Sequence, residues 1–276
     1  MQAWLETRFS RVALGVGTTF LVSVGQASTV VAIDSRVYYP TTGVTSTSPK
    51  LFLLNETVLC AGLGIVASSV QDRSSEEPVD ARFTLQEVIS FLKQTDLRGM
   101  PPDLLADRLW QLLIKTYEPL SGLIAKGAFD LAAIQPGTPD RVSNHYIIGY
   151  STGSVLPDIF DIAISPNKET RQLVVNRPRR HEILPGEQMR AGYITHVGRI
   201  VQGQEPEQSM HFQRVGVRSK EMIPFGEDVN YVDAIEATKL AAMIDVEAHF
   251  NPNWVGPPIG VAVIPRVGKI ALREVS

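Results

Sequence analysis

Apolar and polar positions follow two rhythms along this chain. Short runs rich in β-branched residues fill the first quarter. Phe20-Leu-Val-Ser-Val24 alternates loosely, Thr29-Val-Val-Ala-Ile33 is almost continuous, and Leu51-Phe-Leu-Leu54 and residues 57–61 follow. Each predicts a strand. Gly25-Gln26-Ala27 is short enough to close the first pair into a hairpin, and Asn55-Glu56 does the same for the second. Residues 37–48, punctuated by Pro40 and Gly43, read as a loop. Gly62-Leu63-Gly64 leads into residues 65–70, where a helix start is expected, and the charged, Pro-bearing residues 72–81 read as an exposed loop.

The second rhythm is helical. Thr84-Leu-Gln-Glu87 fits a capping box before an amphipathic helix over 88–92. Pro101-Pro102-Asp103 opens another helix, with Leu104, Leu105, Leu109, Leu112 and Leu113 at helical spacing. After a turn cluster at 136–140, residues 145–150 and 159–164 read as strands of a second sheet, and the basic run 177–181 as a solvated loop. Residues 231–245 form a strong helix pattern with Ile235, Leu240, Ala241 and Ile244 on one face. Pro252 and Gly256-Pro257-Pro258 end that segment, and residues 259–264 read as a buried strand.

Three polar residues sit where the early runs begin or end: Thr18 before the first, Asp34 closing the second, Lys50 opening the third, each sixteen residues from the next. A hairpin returns the end of the second strand to the start of the first, so Asp34 can lie near Thr18, and Lys50 is free to enter the same corner. A Thr hydroxyl becomes a useful nucleophile when a base takes its proton, and one solution is the residue's own free α-amine. That amine exists only if the chain is cut between Gly17 and Thr18. Its ordinary pKa of roughly 8 suits a proton shuttle near neutral pH. A neighbouring Lys ammonium would keep the amine neutral and favour the developing alkoxide, and a carboxylate would keep that Lys charged and oriented. A Gly-bearing turn at 62–64 exposes backbone N–H groups suited to an oxyanion. With Lys50 read as solvent-accessible, Lys50→Ala is expected to abolish turnover with little loss of folding.

Gly17-Thr18-Thr19, then Val30-Val-Ala-Ile-Asp34-Ser35-Arg36, then Lys50-Leu51 resemble the proteasome β-subunit family of N-terminal nucleophile hydrolases. The resemblance covers roughly two thirds of the chain, with sharp motifs only in the first quarter. It implies an α+β fold, a four-layer αββα sandwich with two antiparallel sheets face to face and helices outside. It also implies autocatalytic cleavage at Gly17-Thr18, Thr18 as nucleophile, Lys50 and Asp34 as its supports, and the Gly64 N–H (with Gly62 as the alternative) for the oxyanion. The substrate implied is a peptide or unfolded protein, with small acyl amides open to the same nucleophile. The implied assembly is a homo-oligomeric ring, and any ATP dependence would sit in a separate ATPase. The resemblance departs near the C-terminus. The family usually places an Asp and a Ser in the turn before Gly256, where this chain has Pro252 and Val255. Its further supporting Ser, in a mid-chain Gly-Ser-Gly turn, has no match here, since Ser151-Thr-Gly-Ser154 comes too early. A non-catalytic subunit of the same fold is therefore the rival reading.

Composition narrows the remainder. Of 276 residues, 44 % are apolar and 20 % charged, an ordinary globular balance with chain enough for a sizeable core. A net charge of −3 and no long basic run argue against a nucleic-acid partner. The one cysteine, Cys60, lies in an apolar run and reads as buried; alone it excludes an internal disulfide. His145, His181, His196, His211 and His249 show no metal-ligand spacing, no P-loop or dinucleotide fingerprint is present, and no metal or cofactor is expected. No repeat is visible, so residues 18–276 read as a single domain after a propeptide, 1–17. The alternative for the N-terminus is a secretory signal over 1–27, with Arg8 and Arg11 before an apolar stretch. Glu6, the interrupting Gly15 and Gly17, and the loss of Thr18 speak against it. No apolar stretch reaches the length of a membrane span, and the setting expected is cytoplasmic, with an exported or periplasmic one under the signal reading.

Overall fold

A computed structural model of the chain describes residues 9–10, 14–72, 79–127, 141–167, 169–192, 194, 223–226 and 229–276. Strands dominate a mixed α+β fold, with three helices among the described residues. The early strands are β1 (Phe9–Ser10), β2 (Leu14–Gly15), β3 (Thr19–Val24), β4 (Ser28–Asp34), β5 (Arg36–Tyr39), β6 (Val44–Thr47), β7 (Leu51–Leu53) and β8 (Val58–Gly64). Four two-residue strands follow: β9 (Ala67–Ser68), β10 (Gln71–Asp72), β11 (Val79–Asp80) and β12 (Phe83–Thr84). Helices α1 (Leu85–Leu92) and α2 (Pro102–Ala125) precede β13 (Ser143–Gly149), β14 (Asp158–Pro166), β15 (Leu173–Val175), β16 (Arg179–His181) and β17 (Gln188–Gly192). Helix α3 (Tyr231–Phe250) is followed by β18 (Ile259–Pro265) and β19 (Ala271–Val275).

Two antiparallel sheets carry the architecture. One runs β17-β3-β4-β18-β19; the other runs β15-β14-β13-β8-β7, with β16 also paired to β14. Their alternating side chains feed three buried clusters. Phe20, Val22 and Ile33 from the first sheet meet Leu59, Ala61, Leu63 and Ile148 from the second. Helices α1 and α2 bury Val88, Ile89, Leu105, Leu109 and Leu113 with Cys60, Ile147 and Ile162. Helix α3 buries Ala237, Leu240 and Ile244 with Leu21, Ala32 and Val261.

The capping box forms as the sequence predicts. The Thr84 hydroxyl accepts from the Glu87 N–H, and the Glu87 carboxylate accepts from the Thr84 N–H, so α1 starts at Leu85. In α2, Leu105, Leu109 and Leu113 are fully buried, but Leu104 is exposed, because the buried stripe advances in steps of four from Leu105. Helix α3 extends to Phe250, five residues beyond the expected end, and Ile235 is exposed rather than on the buried face.

Other expectations are corrected. Residues 65–70 form no helix: Ile65, Val66, Ala67, Ser68 and Val70 are all buried, and β9 pairs with β2 on one side and β12 on the other. A segment enclosed on both edges meets its backbone hydrogen bonds by strand pairing. The supposed loop 37–48 is largely the β5–β6 hairpin, whose Val, Tyr and Thr residues favour extended backbone. Its tip closes with the Gly43 N–H on Tyr39 O at 2.9 Å, a turn in which Gly43 takes φ +68°. Within residues 72–81, Asp72 is buried and β10 pairs β11. Of the basic run, Arg177 and Pro178 are irregular, while residues 179–181 form β16, which pairs β14, with Arg180 on Asp158 at 2.6 Å. The turn cluster at 136–140, His196 and His211 lie outside the described residues. No helix among the described residues is long and apolar enough to cross a membrane.

Candidate active site

The β3–β4 hairpin pairs Phe20 with Ile33, so the residue before β3 and the last residue of β4 meet at one end. Lys50 precedes β7 in the other sheet and reaches across. Thr18, Asp34 and Lys50 therefore come together, and all three are buried. Lys50 Nζ donates to Asp34 Oδ2 at 3.3 Å and to the Gly17 carbonyl oxygen at 2.7 Å, and also to the Arg36 carbonyl. Asp34 accepts two backbone N–H groups besides, from Thr19 on Oδ1 at 2.7 Å and from Arg36 on Oδ2 at 3.0 Å. The Thr18 hydroxyl donates to that same Gly17 oxygen.

Burial pushes the Lys50 ammonium below the ordinary lysine range, opposed by the Asp34 charge. Burial likewise pushes the Asp34 carboxyl up, opposed by Lys50 and the two backbone donors. With donors on both oxygens and an ammonium on one, the arrangement suits a carboxylate facing a cation. Full burial corrects the reading of Lys50 as solvent-accessible: the side chain threads between the sheets, where removing it strands a charge.

The residue before Thr18 must be glycine here. Gly17 takes φ +108°, and a Cβ on it would stand 2.6 Å from the Trp254 carbonyl oxygen. The turn after α3 is held in place by several contacts. The Arg36 guanidinium donates to Pro252 O, and Trp254 and Val255 N–H both donate to Asn251 O at 3.0 Å. Gly256 leaves the space that the Arg36 side chain fills. Pro252 thus contributes a carbonyl, and Val255 a fully buried side chain. Asn251 turns back onto Glu247, with Nδ2 to Oε1 at 2.5 Å, and Asn253 is exposed. Ser151 is engaged elsewhere, on Asp158.

Gly64 ends β8 with φ +78°, where a side chain would collide with the Val142 carbonyl. The Gly62 N–H is already spent on Lys50 O at 2.9 Å. Strand alternation puts Gly64, two residues on, at the same edge, just past the start of β7. Its flanking carbonyls are held from below: Ser143 Oγ donates to Leu63 O at 2.6 Å and the Tyr117 hydroxyl to Ile65 O at 2.5 Å. His145 lies against both hydroxyls through Nε2, at 3.3 Å and 3.5 Å, and burial pushes its pKa down to about 3. Cys60 is buried, its thiol pushed up to about 12 by desolvation, and takes no part.

Two contributors escape the sequence reading. Gly192, at φ +85°, ends β17 directly against the Thr18 carbonyl, where any side chain would collide. The other is the chain upstream of Thr18. Val16 exchanges both backbone hydrogen bonds with Tyr38 at 2.8 Å, and Gly15 O accepts the Val66 N–H at 3.0 Å. A glycine after an alternating strand signals Gly192 only weakly, and β2 is too short to signal itself. Among the described residues no cluster of metal-ligating side chains occurs. No known family model matches the chain, and no curated protein matches it either.

Proposed function

We propose that this chain is a threonine-type N-terminal nucleophile hydrolase of peptide bonds that cuts itself between Gly17 and Thr18, built as a four-layer αββα sandwich. The observation that carries the reading is the set of groups on one carbonyl: Lys50 Nζ donates to Gly17 O at 2.7 Å, and the Thr18 hydroxyl lies on the same oxygen. The layering is supported by the three buried clusters, one between the sheets and one beneath each set of helices.

In self-cleavage, Thr18 Oγ1 attacks the Gly17 carbonyl carbon. The O–C bond forms, the C–N bond breaks, and the hydroxyl proton ends on the Thr18 nitrogen. Water then splits the ester into a Gly17 carboxylate and a Thr18 with hydroxyl and free amine. With the next substrate the amine takes the hydroxyl proton and passes it to the leaving nitrogen. The Lys50 ammonium keeps that amine neutral and favours the alkoxide, Asp34 holds Lys50 charged and aimed, and the Gly64 N–H receives the oxyanion. Peptides fit better than small amides, because residues 15 and 16 already lie as an extended strand bonded to Tyr38 and Val66.

The same reading carries a closed homo-oligomer, any ATP-driven step in a separate partner, and a cytoplasmic setting. Export with loss of residues 1–27 would remove β3, which lies between β17 and β4. One rival has an observation in its favour: a non-catalytic subunit, since Pro252 and Val255 bring no polar side chain to the turn. A fluorogenic-peptide assay separates them. Wild-type protein hydrolyses the peptide and Thr18→Ala does not; equal rates for the two would defeat the proposal.

A further inference from the structure

Upstream of Thr18, the chain is itself a bound peptide, and each of its positions reports the space around it. Gly17 faces the Trp254 carbonyl, at 2.6 Å from where a Cβ would stand. That oxygen is backbone and cannot swing aside as a flexible side chain would. Its turn is tied by Arg36 to Pro252 O and by the two N–H bonds to Asn251 O, and the Trp254 ring packs edge-on to Tyr38 at 4.6 Å. Two residues further up, a Cβ on Gly15 would meet Val37 Cγ1 at 2.5 Å, Ala67 Cβ at 3.2 Å and Tyr39 Cε1 at 3.2 Å. The alternate positions differ. Val16 and Leu14 are each 1 % exposed and join the cluster containing Val37, Ile65, Val66 and Phe83.

From this we infer that the substrates are extended peptides reading apolar-Gly-apolar-Gly up to the cleaved bond. The inference rests on the hydrolase reading above and adds its selectivity. Two different walls enforce the two glycines, a carbonyl at the residue before the cut and a side-chain floor two residues earlier. The alternate positions enter apolar pockets, where a charged side chain would be desolvated without a partner. Once the Gly17-Thr18 bond is cut, residues 14–17 are held without a covalent link, and a peptide of the same pattern takes their place. Its glycyl carbonyl carbon then bonds to Thr18 Oγ1, the C–N bond breaks with the proton going to the leaving amine, and water hydrolyses the ester.

The test uses protein expressed as the whole chain and left to process itself, with four acetylated tetrapeptides carrying one fluorogenic amine as leaving group. Leu-Gly-Val-Gly is compared with Leu-Gly-Val-Leu, Leu-Ala-Val-Gly and Leu-Gly-Asp-Gly. The expected kcat/KM of each of the last three is about tenfold or more below the first, in the range set by a methyl group that does not fit. Val37→Ala, which removes the Cγ1 facing position 15, should restore Leu-Ala-Val-Gly to within about threefold of the parent peptide. A generally destabilised enzyme would slow all four alike and restore none. A chain that begins at Thr18 but cleaves all four equally, or prefers Leu before the cut, overturns the selectivity and leaves the hydrolase standing. An uncut chain that cleaves none overturns both.

Discussion

Lys50 donates to Asp34, to Gly17 O and to Arg36 O while fully shielded from water. Its substitution therefore has two consequences. Lys50→Ala removes the charge proposed to tune Thr18, so self-cleavage and peptide turnover should be lost. It also leaves Asp34 buried without its cation, at a cost of about 3–5 kcal/mol. Lys50→Met combined with Asp34→Asn removes both charges and should regain much of the lost Tm while remaining inactive. Thermal melts run beside the assay separate the effects, and near-normal turnover in Lys50→Ala would contradict the assigned role. The residue identities were legible because Thr18, Asp34 and Lys50 each sit at a strand boundary with equal spacing. Their burial was not. Two close approaches at this corner, the Trp254 carbonyl on Gly17 and Gly192 on the Thr18 carbonyl, come from distant parts of the chain that carry no local signal for them.

Among the elements, those that carry their own start or turn signal were placed by the sequence, and those defined by their neighbours were not. The capping box of α1 and the β3–β4 hairpin carry their own start and turn signals. Strand β9 is two residues long, and its conformation is set by β2 and β12 on either side. Likewise the loop-like polarity of Val44–Thr47 conceals an exposed strand that only its pairing with β5 defines. The junction of β8, β13 and α2 supports a pH prediction. His145 sits at about 3 in the folded state against an ordinary value of about 6.5, because burial penalises the imidazolium. The unfolded chain thus binds the proton more readily. Stability is fully present above about pH 6.5 and falls as pH drops towards 3. At about 1.4 kcal/mol per unit of pKa, as much as roughly 5 kcal/mol is involved. His145→Gln, which keeps a side-chain N–H but does not titrate, should flatten this part of the stability curve. Urea unfolding at pH 7 and pH 4 reads it; an identical pH 7-to-4 loss in both proteins would contradict the account.

For the whole molecule, an outline of two main sheets with helices packed on them was legible among the described residues, since runs of strands and helices alternate in blocks. Which surfaces meet other copies was not, because sequence does not separate an exposed apolar residue from a buried one. Phe91 and Leu104 on the α1–α2 side, and Tyr231 and Val232 on α3, are more than half exposed. The closed homo-oligomer proposed above is expected to cover residues of this kind. Light scattering coupled to size exclusion should give a multiple of the processed subunit's mass, below the 30.3 kDa of the uncut chain, and a monomer at micromolar concentration would remove the ring. One bond, Gly17-Thr18, decides between a processed hydrolase and an inert chain. Intact mass and N-terminal sequencing of the purified wild-type protein should find a chain beginning at Thr18, while Thr18→Ala keeps Gly17 joined to residue 18. A wild-type chain still continuous through Gly17-Thr18 would contradict the central claim.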